Sequence, residues 1–123
     1  MAFILYNANK CGIETSDCTI RAISTILHKS WLETYWDICT QGAIECKMPS
    51  TNSVWGKYLL NNGFRRMPVD SKDNNVTTFC RYHPTGEYIL ATGTHVIAVI
   101  NGDYYDIWDS GREIPKYYFT KES

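Results

Sequence analysis

The 123-residue sequence has no run of like charge, because 12 Lys and Arg stand against 13 Asp and Glu for a formal net charge of −1. A nucleic-acid binder needs clustered cations to neutralise phosphates, so this balance predicts no nucleic-acid partner. No apolar stretch approaches the roughly 18–20 residues of a membrane span, which predicts no membrane partner. The opening Met1-Ala2-Phe3-Ile4-Leu5-Tyr6 lacks both a basic region and a long apolar run. It does not read as a secretory signal, so a cytoplasmic location is expected. Cys11, Cys18, Cys39, Cys46 and Cys80 show no closely spaced pair of the kind a structural zinc site uses. An odd number of cysteines without a secretion signal predicts reduced thiols, with neither metal nor other cofactor. Repeats, low-complexity tracts and Pro/Gly/Ser linkers are also missing, so residues 1–123 are expected to form one domain.

What is present is an ordinary globular composition, 44% hydrophobic and 20% charged, which argues against disorder. Nine Tyr, four Trp and four Phe supply rings for a core or for a groove. Residues 3–6 read as a short edge strand and polar residues 7–16 as a loop. Ile20, Ile23, Ile26 and Leu27 recur at helical spacing from Asp17 to about Lys29, with Ser16 or Asp17 as N-cap. Ser30-Trp31-Leu32-Glu33 has capping-box spacing and opens a second helix, expected to end near Gly42. A third covers 52–61 and stops before Gly63.

The second half changes character. Phe64 to Val69 reads as a strand and Val76 to Tyr82 as one or two helical turns. Glu87 to Ala91, Thr94 to Ile100 and Tyr104 to Trp108 are rich in β-branched and aromatic residues, and Asn101-Gly102 marks a hairpin between the last two. Helices first and strands later predict an α+β fold, N-terminal helices packed on a C-terminal antiparallel sheet.

The chemistry concentrates on a few residues. Cys18 falls in the first turn of the first helix, where unpaired N–H groups and the positive end of the helix dipole stabilise a thiolate. Arg21 lies three residues on and adds positive charge on that side. His95 opens a strand just after Thr92-Gly93-Thr94, so its ring can reach over the sheet end toward a helix N-terminus. His28 sits at a helix C-terminus and His83 before Pro84, both better suited to structural roles. Hairpin parity decides which carboxylate holds the imidazole. A two-residue Asn101-Gly102 turn puts Asp106 on the face of His95, opposite Ile97. A three-residue loop puts Asp109 directly opposite His95 and leaves an apolar ladder behind it. Burying Asp106 against Ile97 is costly without a partner, so Asp109 is the expected orienter and Asp106 the alternative.

Asp17-Cys18-Thr19-Ile20-Arg21-Ala22-Ile23, Thr94-His95-Val96-Ile97-Ala98-Val99 and Tyr105-Asp106-Ile107-Trp108-Asp109-Ser110, with Phe79…His83-Pro84-x-Gly86, resemble the small papain-like cysteine peptidases of phages and their bacterial hosts. The order of Cys on a helix, His opening a strand and Asp or Asn ending the next strand is that of the papain-like group, and the resemblance covers most of the chain. It implies a papain-like fold and a thiol hydrolase acting through Cys18, His95 and Asp109 on a peptide or isopeptide amide. A protein or peptide partner follows, a phage factor acting on a host protein in the host cytoplasm being one form. The group usually places a Gln shortly before the Cys as oxyanion donor, and this chain has none there. Asn7 and Asn9 are the available amides, with the Cys18 backbone N–H as a further donor. Trp36, Trp55 and Trp108 are candidate groove residues. Two rival functions share these features: a binding protein on a papain-like scaffold, and an acyltransferase or deamidase using the same triad.

Overall fold

The computed structural model describes residues 2–12 and 15–121. Of the expected loop 7–16, residues 13 and 14 lie outside the described part. Six strands and four helices follow one another as β1 (Ala2–Leu5), α1 (Cys18–Leu27), α2 (Trp31–Glu45), α3 (Asn52–Asn61), β2 (Phe64–Pro68), α4 (Val76–Tyr82), β3 (Glu87–Ala91), β4 (Val96–Ile100), β5 (Asp103–Asp106) and β6 (Tyr117–Lys121). The fold is α+β. Its single sheet has the order β1-β5-β4-β3-β6-β2 and is mixed: β1 pairs parallel with β5, and the other pairs are antiparallel. The expectation of an antiparallel sheet drawn only from the C-terminal half is therefore corrected, because the edge strand β1 comes from the start of the chain and pairs parallel with β5.

The alternation along the central strands explains why both faces are covered. Ile89, Ala91, Val96, Ala98 and Phe119 face one way and pack with Ile23 and Ile26 of α1, Ile38 of α2 and Trp55 and Leu59 of α3. Leu90, Ile97, Val99 and Tyr104 face the other way, against Val76, Phe79 and Cys80 of α4. Each fully buried large side chain here contributes roughly 1.5–3 kcal/mol of transfer free energy. Strands buried on both faces lose the polar alternation that would mark them, which is why β3 and β4 read as nearly continuous apolar runs. β6 was not expected from the sequence, although Tyr117-Tyr118-Phe119-Thr120 has the aromatic and β-branched composition of a strand.

The turn between β4 and β5 settles the register. Ile100 pairs with Asp103, Val99 with Tyr104 and Ala98 with Tyr105, so only Asn101 and Gly102 form the loop. Both have positive φ, 49° and 81°, as a two-residue type I′ turn requires. The predicted three-residue loop is not formed. One pair further along this register, Asp106 stands across from Ile97 and two residues along from His95.

The expected end of the second helix is also corrected. α2 continues through Gly42 to Glu45 and closes on Cys46 in the left-handed region, φ 57°. Gly42 is buried because the chain folds back over it: a Cβ there would sit 2.8 Å from the Lys47 carbonyl oxygen and 3.3 Å from the Pro49 nitrogen. Alanine in a helix interior ordinarily gains about 0.5–1 kcal/mol over glycine. Forcing a methyl against backbone costs about 1–3 kcal/mol. Gly42→Ala is therefore expected to lower the urea midpoint with an unchanged slope, and a raised midpoint would contradict this account of the helix end.

Candidate active site

Cys18 is the first residue of α1, and Asp17 is its N-cap position. The Asp17 side chain does not cap the helix. One carboxylate oxygen pairs with the Arg21 guanidinium one turn on, and the other accepts from the Trp31 indole N–H at 2.9 Å. The Cys18 thiol stands against His95, with the Val96 backbone and the Thr19 side chain also near enough to favour its thiolate.

His95 is placed by a small closed turn. The Thr92 hydroxyl oxygen accepts from the N–H groups of His95 and Thr94, at 3.0 and 3.3 Å, while the Thr92 N–H donates to the His95 carbonyl at 2.8 Å. Its ring Nε2 lies 2.6 Å from Asp106 Oδ2. The indole of Trp108 stacks on the imidazole with centroids 5.0 Å apart and an interplanar angle of 29°.

Asp106 is thus the carboxylate at the histidine, which corrects the expectation of Asp109. Its burial has ample compensation. Oδ2 also accepts from the Ser110 hydroxyl at 2.7 Å, Oδ1 accepts from the Ile107 N–H at 2.8 Å, and Arg21 Nη2 is 3.8 Å from Oδ1. Asp109 is exposed and accepts from the Tyr104 hydroxyl at 2.5 Å and the Gly111 N–H at 3.0 Å.

The proton affinities follow from this geometry. Burial disfavours the His95 cation, but the hydrogen bonds to Asp106 and Cys18 outweigh it and raise the imidazole from 6.5 to about 9. Burial also disfavours the Cys18 thiolate, and the His95 hydrogen bond and charge, with Val96 and Thr19, outweigh it and hold the thiol below its ordinary 9.0. Burial raises Asp106 too, yet its bonds to His95, Ser110 and Ile107 bring it below the usual carboxylate value. The two shifts converge, the thiol moving down and the imidazole up, which favours a thiolate–imidazolium pair.

Neither Asn7 nor Asn9 lines the hollow beside Cys18 and His95. Asn7 Oδ1 accepts from the Asn9 N–H at 2.9 Å and Asn9 Oδ1 from the Cys11 N–H at 3.1 Å, which are local Asx turns. Of the three candidate groove tryptophans, Trp108 stacks on His95, Trp55 is 1% exposed in the core yet borders the hollow beside Cys18 and His95, and Trp36 stands out on α2. His28 faces Glu87 at 2.9 Å, and His83 bonds the Phe79 carbonyl at 2.7 Å. A hollow of about 170 Å³ opens beside Cys18 and His95, with Thr19, Ser50, Asn52 and Thr94 supplying uncharged polar groups to its wall. Ser16, Thr19 and Ser50 also border a second hollow, lined by Ile20, Ile38, Met48 and Pro49.

All five cysteines are free thiols, and among the described residues no cluster of three or more His, Cys, Asp or Glu is arranged to hold a metal. Cys80 is buried, and that burial, with Asp103, pushes its thiol up to about 12. Near neutral pH, iodoacetamide should therefore modify Cys18 at least tenfold faster than Cys80, read site by site by peptide mass mapping. Equal rates in the folded protein would remove the ion pair.

No described helix is long and apolar enough to cross a membrane. Compared with models of protein families, with curated proteins and with solved structures, the chain finds no match, so any function must be argued from the geometry of Cys18, His95 and Asp106.

Proposed function

We propose that the protein is a papain-like thiol hydrolase that cleaves a peptide or isopeptide amide through Cys18, His95 and Asp106. The observation that carries this reading is the His95 imidazole held between a thiol and a buried carboxylate, with the thiol shifted down and the imidazole up toward a thiolate–imidazolium pair. The Cys18 thiolate attacks the carbonyl carbon, and the tetrahedral oxyanion collapses as His95 gives its proton to the leaving amine. A thioester remains. Neutral His95 then takes a proton from water, the hydroxide adds to the thioester carbonyl, and the acid leaves as thiolate and imidazolium are regenerated. Asp106 fixes the ring tautomer throughout, and Trp108 shields the His–Asp bond from water. With Asn7 and Asn9 away from the hollow, the candidate oxyanion donors are the backbone N–H groups at the start of α1, which no side chain caps, and the Asn52 side chain in the wall of the hollow.

The uncharged polar hollow beside the thiol fits a protein or peptide segment better than a charged small molecule, since no counter-ion lines it beyond the triad. The target is a protein or peptide, a host protein in the host cytoplasm if the gene is phage-borne. Incubation with a mixed peptide library, read by mass spectrometry, tests the reading. Cleavage that Cys18→Ala abolishes supports it, and product mass on glutamine-containing peptides separates hydrolysis from deamidation or acyl transfer. One observation favours a second reading, a papain-like binding protein: neither Asn7 nor Asn9 lines the hollow beside the thiol, where an amide would meet an oxyanion. A reactive Cys18 with no turnover on any peptide supports that alternative.

Substitutions should separate the two aspartates. Removing the orienting carboxylate of a triad costs up to about 10⁴ in rate. Asp106→Asn keeps an acceptor oxygen and should lose less than Asp106→Ala, while Asp109→Asn should keep kcat near wild type and weaken only the Tyr104 contact. A larger loss at Asp109 than at Asp106 would refute the assignment.

The pH profile of kcat/KM should be bell-shaped. His95 keeps its proton up to about 9, so activity falls as pH rises through that value and the leaving amine loses its acid. On the acid side activity falls as the thiol regains its proton, below the ordinary thiol value. Activity that still rises above pH 9 would show that His95 does not act as the proton donor.

A further inference from the structure

Arg21 is buried, and its two terminal nitrogens face two different carboxylates. Nη1 pairs with Asp17 Oδ1, and Nη2 lies 3.8 Å from Asp106 Oδ1. Asp17 and Asp106 are themselves 5% and 4% exposed, so water screens none of the three groups appreciably. Asp17 is anchored on its other oxygen by the Trp31 indole, 2.9 Å away, and so ties α2 to the start of α1. The groups that face the imidazole are Cys18 and, beyond the carboxylate, Arg21 from α1, Asp106 from β5, and the neutral Trp108 ring. One guanidinium therefore sits between the carboxylate behind the nucleophile and the carboxylate that orients the histidine.

We propose that Arg21 and Asp17 form a charge clamp on the reacting pair: Arg21 is a positioning residue that holds Asp106 against His95 and offsets part of its charge, and Asp17 offsets part of the charge of Arg21. The inference rests on the reading of Cys18 and His95 as the reacting pair. Arg21 is always cationic, so the clamp holds two carboxylates against one guanidinium, one net negative charge. Removing the guanidinium leaves two. The extra negative field favours the imidazolium and opposes the thiolate. Neutralising Asp17 acts in the other sense, because Arg21 then offsets Asp106 more fully.

The test is the pH dependence of Cys18 alkylation by iodoacetamide, resolved by peptide mapping and recorded with the thermal unfolding of each variant. Arg21→Gln should move the midpoint of thiolate formation up by about one pH unit, the scale of one neighbouring charge in a protein. Asp17→Asn, which can still accept from Trp31, should move it down by a smaller amount. Arg21→Lys should bring the midpoint back toward wild type. A merely structural role would change unfolding temperature and leave the midpoints in place. Unmoved midpoints, or shifts of the same sign in Arg21→Gln and Asp17→Asn, overturn the clamp. Should Arg21→Gln fail to fold, Asp17→Asn decides: a downward shift supports the clamp and an unmoved midpoint overturns it. Alkylation needs no substrate, so the two readings fail separately. Opposite shifts without any peptide cleavage would remove the hydrolase and leave the clamp, whereas cleavage with unmoved midpoints would remove the clamp alone.

Discussion

An ionised carboxylate taken out of water costs several kcal/mol unless its oxygens are fully met, and Asp106 is such a group. It collects the imidazole at 2.6 Å, the Ser110 hydroxyl at 2.7 Å, the Ile107 N–H at 2.8 Å and the Arg21 guanidinium at 3.8 Å. These partners come from the entry to β4, from the segment after β5 and from α1. The buried charge therefore ties α1 to the end of the sheet. Ser110 has no exposed surface at all, which shows how closely the segment after β5 wraps the carboxylate. Because each partner neutralises part of one charge, losing any of them leaves the rest uncompensated, and their effects are not independent.

The reacting pair inherits its electrostatics from that arrangement. A cysteine at a helix start and a histidine at a strand mouth do not by themselves exchange a proton, since a free thiol titrates above a free imidazole. The two converge here because the carboxylate favours the imidazolium, and the imidazolium in turn favours the thiolate. Burial alone would push both groups toward neutrality. Its effect is overcome only because the hydrogen-bonding partners are held in place by regular elements and short turns, Thr92 for the histidine and Ile107 and Ser110 for the aspartate. Cys80, buried without such partners, moves the opposite way.

How much of this was legible in the sequence depended on how local each signal is. α3 and α4 run over the predicted residues, and Ser30 caps α2 as its spacing foretold, because periodicity and caps act within one turn of helix. The pairing of Cys18 with His95 was also readable, from the helix start and the strand mouth. The third member was not. Two local arguments conflicted over the hairpin: Asn-Gly favours a two-residue turn, and the burial cost of Asp106 opposed it. The turn chemistry prevailed because the cost is met by Arg21 and Ser110, and neither contact is visible before α1 and the segment after β5 are brought together. Gly42 misled for a similar reason. It marks a close approach by Lys47 and Pro49, not a helix end. The strand character of β6 was written plainly in Tyr117 to Thr120, while its place between β3 and β2 depends on long-range pairing that no local pattern encodes.

The same diversion that builds the charge clamp also shapes the helix start. An aspartate at an N-cap normally turns its carboxylate onto the first-turn N–H groups and satisfies them. Asp17 instead gives one oxygen to Arg21 and the other to Trp31, and α1 begins without a side-chain cap. Leaving a helix start uncapped costs about 0.5–2 kcal/mol, which the buried ion pair and the indole bond offset locally. In return, the first-turn N–H groups beside Cys18, which lines the polar hollow, take no side-chain cap and are left as candidate oxyanion donors in the proposed hydrolysis. A cap on α1 and a donor set at the nucleophile compete for the same backbone groups. Turning Asp17 inward resolves that competition in favour of the site, and it explains how the chain can do without the amide that Asn7 and Asn9 do not supply.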